Sequence, residues 1–402
     1  MATPRCALCD AEITNANDSQ EHIILNAIGG TRKVRGVYCV RCNSDSGSKW
    51  DSEAFRQLEF LASHLGIVRE RGYGRAVELV TLSGRAVRKH PDGHLSFPRS
   101  KPGITSKGEG VEIQIQATTR AEAEKILRGL KRKYPKLDSG AALASIDERE
   151  SYLAEPVKAE LTFGGGLSGR SAVKSALTLA VSRGVNPQLC NLALNYLRSE
   201  TGDRPFGHYG KRDLVMNRPP GRVFHCVAIA GDPLTKRLTG YVELFTIFRM
   251  VIALSDSYTG PAINVSYAID PIVGEELDLQ VNLAFSADEL RFAVANEDDP
   301  TAQMLEAADM VARIARDLSF EREFERVSKK VYREAVAALK LEIVPGQRPS
   351  PETAFALAQE ITRRMAPFLA HHADNLRRGK PQPYPPRTTG ESVGSNTKGQ
   401  TD

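Results

Sequence analysis

The alternation of apolar and polar positions divides the chain into stretches of distinct character. Near the N-terminus, Glu21-His22-Ile23-Ile24 is short and strand-like, Gly29-Gly30 allows a turn, and Val34 to Val40 predicts a returning strand. From Asp51 to Leu65, the positions Phe55, Leu58, Leu61, Ala62 and Leu65 recur at helical spacing and predict a helix with one apolar face. Ala76 to Leu82 is again strand-like, and a polar stretch rich in Gly, Pro, Lys and His follows it. Val111 to Gln116 alternates with period two. Thr119 then predicts the N-cap of a helix from about Arg120 to Tyr134, stopped by Pro135. A strand over Val157–Phe163, a Gly-rich turn, and helices over Ser168–Arg183 and Pro187–Arg198 come next. Residues 222–270 are β-rich, whereas the chain from Asp288 onward reads as helical, with segments over Ala302–Leu318 and Glu321–Leu341. Pro345, Pro349 and Pro351 interrupt that pattern before a last helix to about His372.

These elements predict an α+β fold: a small N-terminal finger over residues 1–65, a mixed α/β domain over 76–285, and a helical C-terminal section over 286–372. The mixed domain is expected to serve DNA binding or regulation. Residues 373–402, rich in Pro, Gly, Ser and Thr without apolar period, predict a disordered tail. A length of 402 residues suits two or three domains, and 41% hydrophobic with 26% charged residues excludes wholesale disorder. The longest apolar candidate, Gly240 to Leu254, is broken by Glu243 and Arg249, so no segment reaches the roughly 20 residues of a bilayer span. Met1-Ala2-Thr3-Pro4-Arg5 lacks the apolar core of a secretory signal, which predicts a cytoplasmic protein with no membrane association. A net charge of +5 permits a nucleic-acid partner without demanding one.

The cysteines change the picture. Four of the six lie in the first 42 positions as two CxxC knuckles, Cys6-Ala7-Leu8-Cys9 and Cys39-Val40-Arg41-Cys42. Two residues between thiolates let a tight turn aim both sulfurs at one ion, and two such turns complete a tetrahedral site. Zinc is the expected metal. Its binding supplies folding energy that so small a finger lacks, and four sulfur ligands leave no open position for chemistry.

Between and just after the knuckles stand Glu21-His22-Ile23, Gly29-Gly30, Asn43, Gly47 and Asp51. The order CxxC, Glu-His-Ile, Gly-Gly, CxxC-Asn, Gly, Asp resembles the zinc-stapled branch of the HNH endonucleases, the ββα-metal nucleases. The resemblance covers roughly residues 5–60. It implies a zinc-bound ββα-metal finger in which His22 is the general base that activates the attacking water. It further implies that Glu21 and Asn43 ligate a Mg²⁺ or Mn²⁺ ion on the scissile phosphate, with Asp51 either a further ligand or a residue that orients the helix. The expected activity is hydrolysis of DNA phosphodiester bonds, and attachment to a large companion domain suggests anti-phage defence or restriction by analogy. The chain departs from the family pattern in carrying Glu where Asp is commoner, and in lacking an evident middle Asn between Val34 and Tyr38.

Further features admit two readings each. Arg32, Lys33, Arg35 and Arg41 are either phosphate grips or ordinary surface charge. Gly164-Gly165-Gly166-Leu167-Ser168-Gly169-Arg170-Ser171 sits where a phosphate-binding loop would, but Arg170 replaces the required Lys, so a plain strand-to-helix turn is favoured over a nucleotide effector site. The helix after Thr119 carries Lys125, Arg128, Lys131, Arg132 and Lys133, a solvated face or a DNA-backbone contact. Cys190, Cys226 and His225 read as core residues, and His371-His372 carries no assignment. Two alternatives to a constitutive nuclease remain: an effector-gated nuclease with a C-terminal sensor, and a non-catalytic zinc module that binds nucleic acid. A protein partner and a homo-oligomer are both compatible with the sequence.

Overall fold

A computed structural model describes residues 4–377 apart from 71, 99–101, 109, 118, 148–151, 154, 200–201, 296, 298, 343–345 and 347. Of the expected tail, residues 378–402 lie outside the described residues, and the last helix, Pro351–Arg377, runs past His372. The chain forms two compact units, one up to Phe324 and one from Glu325 onward.

The first unit is built on a six-stranded antiparallel sheet in the order Phe206–His208, Phe248–Ser255, Arg237–Leu244, His225–Asp232, Ile263–Asp270, Glu275–Leu277. Its central strands read as near-continuous apolar runs because both faces are covered. Val227, Ile229, Val242 and Ile252 face one core, whereas Cys226, Ala228, Tyr241 and Val251 face a second. Helix Gly166–Ser182 lies across the first face. Its seat is close: a Cβ on Gly240 would stand 3.1 Å from the Cβ of Ala176. The second face is closed by Leu279, Val281, Leu283 and helix Ala287–Ala295.

The finger packs into the same core. Strand Glu21–His22 pairs antiparallel with Lys33–Val34, and helix Val40–Ser46 follows. The strand expected over Val34–Val40 is therefore shorter, because Gly36 takes a left-handed φ of 74° and the chain turns to bring Cys39 to the helix start. The Gly29-Gly30 turn is sterically obligatory, since a Cβ on Gly30 would sit 1.8 Å from the carbonyl oxygen of Ile24. A π-turn over Gly47–Asp51 joins the short helix to Ser52–Leu65, which buries Ala54, Leu58, Leu61, Ala62 and Leu65. Leu65 gives way to Gly66 at φ 72°, an ordinary left-handed helix stop.

His225 locks finger to sheet. Its Nδ1 accepts the backbone N–H of Phe245 at 2.9 Å, so the proton sits on Nε2, which donates to the carbonyl of Ile28 at 3.0 Å. Burial drives this imidazole's pKa down to about 4, and it stays neutral. Tyr267 adds hydroxyl contacts to Thr31 and to the N–H of Arg32.

Between finger and sheet along the chain lie smaller pieces: a four-stranded antiparallel sheet (Val157–Lys158, Val77–Thr81, Ala86–Lys89, Leu95–Ser96), the hairpin Gly103–Lys107 with Gly110–Gln114, and helix Arg120–Lys133. Thr119 caps that helix as expected, accepting from the N–H of Glu122. The strand expected over Val157–Phe163 is confined to its first two residues, the rest leaving the sheet edge toward the turn before Gly166. The two helices expected over Ala302–Leu318 and Glu321–Leu341 are one helix, Thr301–Ala338, since neither Gly nor Pro separates them. In the second unit, Val327, Val331, Ile361, Met365 and Phe368 form a small core between this helix and Pro351–Arg377.

Candidate active site

The four knuckle cysteines converge. Their Sγ atoms all lie within 4.8 Å of one another, and Cys9 and Cys39 are 3.8 Å apart. A tetrahedral zinc with Zn–S bonds of about 2.3 Å spaces its sulfurs by about 3.8 Å, so the cluster fits a structural zinc. Cys39 is the N-cap of helix Val40–Ser46 and makes no side-chain cap bond, which leaves its thiol to the metal. The helix N-terminus also favours negative sulfur there.

Strand alternation sends Glu21 and His22 to opposite sides. Glu21 is buried and points at helix Gly166–Ser182, whereas His22 is partly exposed and meets Glu70. His22 Nε2 lies 3.3 Å from Glu70 Oε1, which also takes Lys33 Nζ at 2.7 Å. A carboxylate only accepts, so the imidazole proton belongs on Nε2 and the Nδ1 lone pair is left to take a proton. Burial lowers the His22 pKa, Glu70 opposes it, and the charges of Lys33 and Lys174 add to the lowering. The ring is consequently neutral at cellular pH, the form a base requires.

On the other side, three oxygen donors from three elements meet one ammonium. Lys174 Nζ stands 2.8 Å from Glu21 Oε1, 2.7 Å from Asp51 Oδ2 and 3.4 Å from Asn43 Oδ1. The residues expected to hold a divalent cation are thus brought together, and Lys174, 1% exposed, occupies their centre. Asn43 also donates from Nδ2 to the carbonyl of Gln20 at 3.2 Å, tying helix to strand. Asp51 takes Ser171 Oγ on its second oxygen at 2.6 Å. Burial works to lower the Lys174 pKa, but Asp51 and Glu21 outweigh it and hold the ammonium above its ordinary 10.5. One positive charge cannot neutralise two carboxylates. The more buried of the two is pushed up: Glu21 rises through desolvation, Lys174 offsets part of this, and Asp51 adds to it.

Residues 6–59 match the family model of the HNH endonucleases. The N-terminal finger is an HNH endonuclease domain. Its match stops where helix Ser52–Leu65 is still running, and no curated protein and no solved structure matches the chain. The HNH domain supports nuclease activity in general, and it covers only a small part of the chain. Among the described residues no helix is long and apolar enough to cross a membrane.

Two residues of this site escaped the sequence reading. Glu70 follows the HNH segment and carries no motif. Lys174 carried a signal that was readable: a single charge in the run Ser171-Ala172-Val173-Lys174-Ser175-Ala176-Leu177, on a helix whose neighbours are small or apolar. The Gly-rich turn before it is committed internally. Arg170 donates to the carbonyls of Tyr196 and Ser199, and Ser168 bonds the carbonyl of Gly164. Of the four basic residues near the second strand, Arg32 pairs with Glu276, Lys33 with Glu70 and Arg35 with Asp18, while Arg41 is 89% exposed and 3.9 Å from Asp45. Cys190 and Cys226 are buried, as expected of core thiols.

Proposed function

We propose that the protein is a metal-dependent HNH endonuclease that hydrolyses phosphodiester bonds in DNA, with a role in defence against foreign DNA. The observation that carries this reading is the partition made by one strand. A neutral imidazole with a carboxylate behind it lies on one side, and a convergent set of hard oxygen donors on the other. Glu21, Asn43 and Asp51 would hold Mg²⁺ or Mn²⁺, whose charge would stabilise the phosphate as negative charge builds on the leaving 3′ oxygen. The donor chemistry fits such an ion, and the cation position is the one held by the Lys174 ammonium.

In this reading His22 takes a proton from the attacking water at Nδ1, and Glu70 steadies the ring through Nε2 as positive charge develops on it. Glu70 is a positioning residue. Arg41, exposed on the helix that presents Asn43, would meet a phosphate of the backbone in this reading. Asp51 acts as a ligand and also anchors helix Gly166–Ser182 through Ser171.

The test is a plasmid incubated with zinc-loaded protein and Mg²⁺, Mn²⁺ or no added divalent ion, with His22→Ala and Asn43→Ala in parallel. Cutting with either ion, its absence when neither is added, and a fall of about 10²–10⁴ in His22→Ala with DNA binding retained are expected. Undiminished cutting by His22→Ala would remove the catalytic assignment. Absence of cutting under every condition, with DNA still bound, would favour a non-catalytic zinc module.

A further inference from the structure

The oxygen cage around Lys174 has a consequence for how the site is switched on. Its three donors come from separate pieces of the finger: strand Glu21–His22, helix Val40–Ser46 and the π-turn Gly47–Asp51. The cation at their centre comes from none of these. It is delivered by helix Gly166–Ser182, whose position is set by the sheet through the close packing of Ala176 on Gly240. The same helix presents Ser171 to Asp51, and the hydroxyl of Thr178 to that of buried Tyr38 at 3.1 Å. The finger's charged centre is thereby completed by the body of the protein.

Magnesium demands oxygens at about 2.0–2.1 Å in near-octahedral array. The ammonium now holds two carboxylates at 2.7 and 2.8 Å in a largely buried centre that Asp51 and Asn43 leave partly open to solvent. A divalent ion placed among the same oxygens would sit within about one bond length of a like charge in a low-dielectric pocket, so the two cations exclude each other. The lysine stem is flexible, and its four methylenes allow the head to leave without unfolding the helix.

We propose that Lys174 is a resident competitor for the divalent-metal position, a built-in cation that the metal must displace before the finger can act. This rests on the reading that Glu21, Asn43 and Asp51 are the metal's ligands. The ammonium keeps the carboxylates paired in the resting protein, and the helix that carries it links metal loading to the sheet. Any shift of that helix against the finger changes how firmly the competitor is held.

The experiment measures Mn²⁺ binding to the full-length, zinc-loaded protein by the paramagnetic resonance of free Mn²⁺ and by calorimetry, without DNA. Lys174→Met keeps the stem's bulk and removes its charge. It is expected to tighten Mn²⁺ binding at one site at least tenfold, and Glu21→Gln added to it should abolish the gain. If zinc-loaded Lys174→Met does not fold without added Mn²⁺, folding restored by Mn²⁺, followed by the fluorescence of Trp50, is the same result. An unchanged or weakened Mn²⁺ affinity would overturn the proposal, as would an unfolded variant that Mn²⁺ does not rescue. Plasmid cutting scored alongside separates the two readings. Lys174-independent Mn²⁺ binding in a protein that cuts refutes the competitor alone, whereas lysine-dependent binding in a protein that never cuts refutes the nuclease alone.

Discussion

Two buried clusters of charge in this protein make an instructive pair. In the sheet, Glu243 is fully buried, and each of its oxygens is taken twice: Oε1 by Arg218 at 2.8 Å and Arg249 at 3.3 Å, Oε2 by the Tyr241 hydroxyl at 2.7 Å and Arg218 at 3.1 Å. Asp213 pairs with Arg218 as well, so two carboxylates face two guanidinium groups. In the finger, Glu21 and Asp51 share the single ammonium of Lys174. The first cluster is balanced and saturated, the arrangement that makes a buried ion pair part of a rigid core. The second is short of positive charge, and its third donor, Asn43, is held at a looser 3.4 Å. A saturated cluster holds a fold together, whereas an under-neutralised one is suited to accept a stronger cation.

The contrast can be broken at several places. Withdrawing the zinc has the largest expected effect, because thiolate–zinc binding in small fingers contributes on the order of 10–16 kcal/mol of folding free energy. Chelation, or Cys39→Ser, should disperse the Glu21–Asn43–Asp51 centre while the Glu243 cluster persists. Loss of the native Trp50 fluorescence with retained β-sheet circular dichroism is the expected result, and simultaneous loss of both would show the clusters to be one cooperative unit.

Next in size is a comparison of single carboxylates. Glu243→Ala leaves two partly buried guanidinium groups without their shared partner and should cost about 3 kcal/mol in urea unfolding. Glu21→Gln removes the surplus charge from the finger centre and should change stability by no more than about 1 kcal/mol while abolishing DNA cutting. Equal destabilisation by the two would show that the finger's charge centre is as structural as the sheet's.

The link between the regions titrates. His225 has its pKa lowered to about 4 by burial, against about 6.5 for an unperturbed imidazole. The unfolded chain binds more protons between these values, so stability rises with pH across that window. The contribution is complete above about pH 6.5 and is lost as the pH falls toward 4, with a span of roughly 3 kcal/mol. Thermal melts between pH 7 and pH 4.5 should show this loss, and His225→Asn should flatten the slope.

The smallest effect is expected at Arg41. Its removal should alter stability by less than about 0.5 kcal/mol, yet lower the salt dependence of DNA binding by about one phosphate contact. Arg35→Ala, whose guanidinium engages Asp18, is the matched control and should leave that slope unchanged.

Much of the candidate site was legible because its parts are close in the chain. The knuckles, Glu21-His22, the Gly-Gly turn, Asn43 and Asp51 fall within about fifty residues, where spacing alone dictates which side chains share a turn or a strand face. The β-rich stretch over 222–270 was likewise readable as sheet, its apolar runs indicating burial on both faces. Periodicity says which positions of a helix are buried but not what they are buried against. Glu70 behind His22, His225 beneath Ile28, and Lys174 among the finger's oxygens are contacts across 48, 197 and 123 residues. Tertiary packing decides them: a turn brings Glu70, a sheet strand brings His225, and one docked helix brings Lys174. Local sequence determined which donors the finger offers; long-range packing, driven by apolar surfaces that carry no address for a single charge, determined which cation they hold.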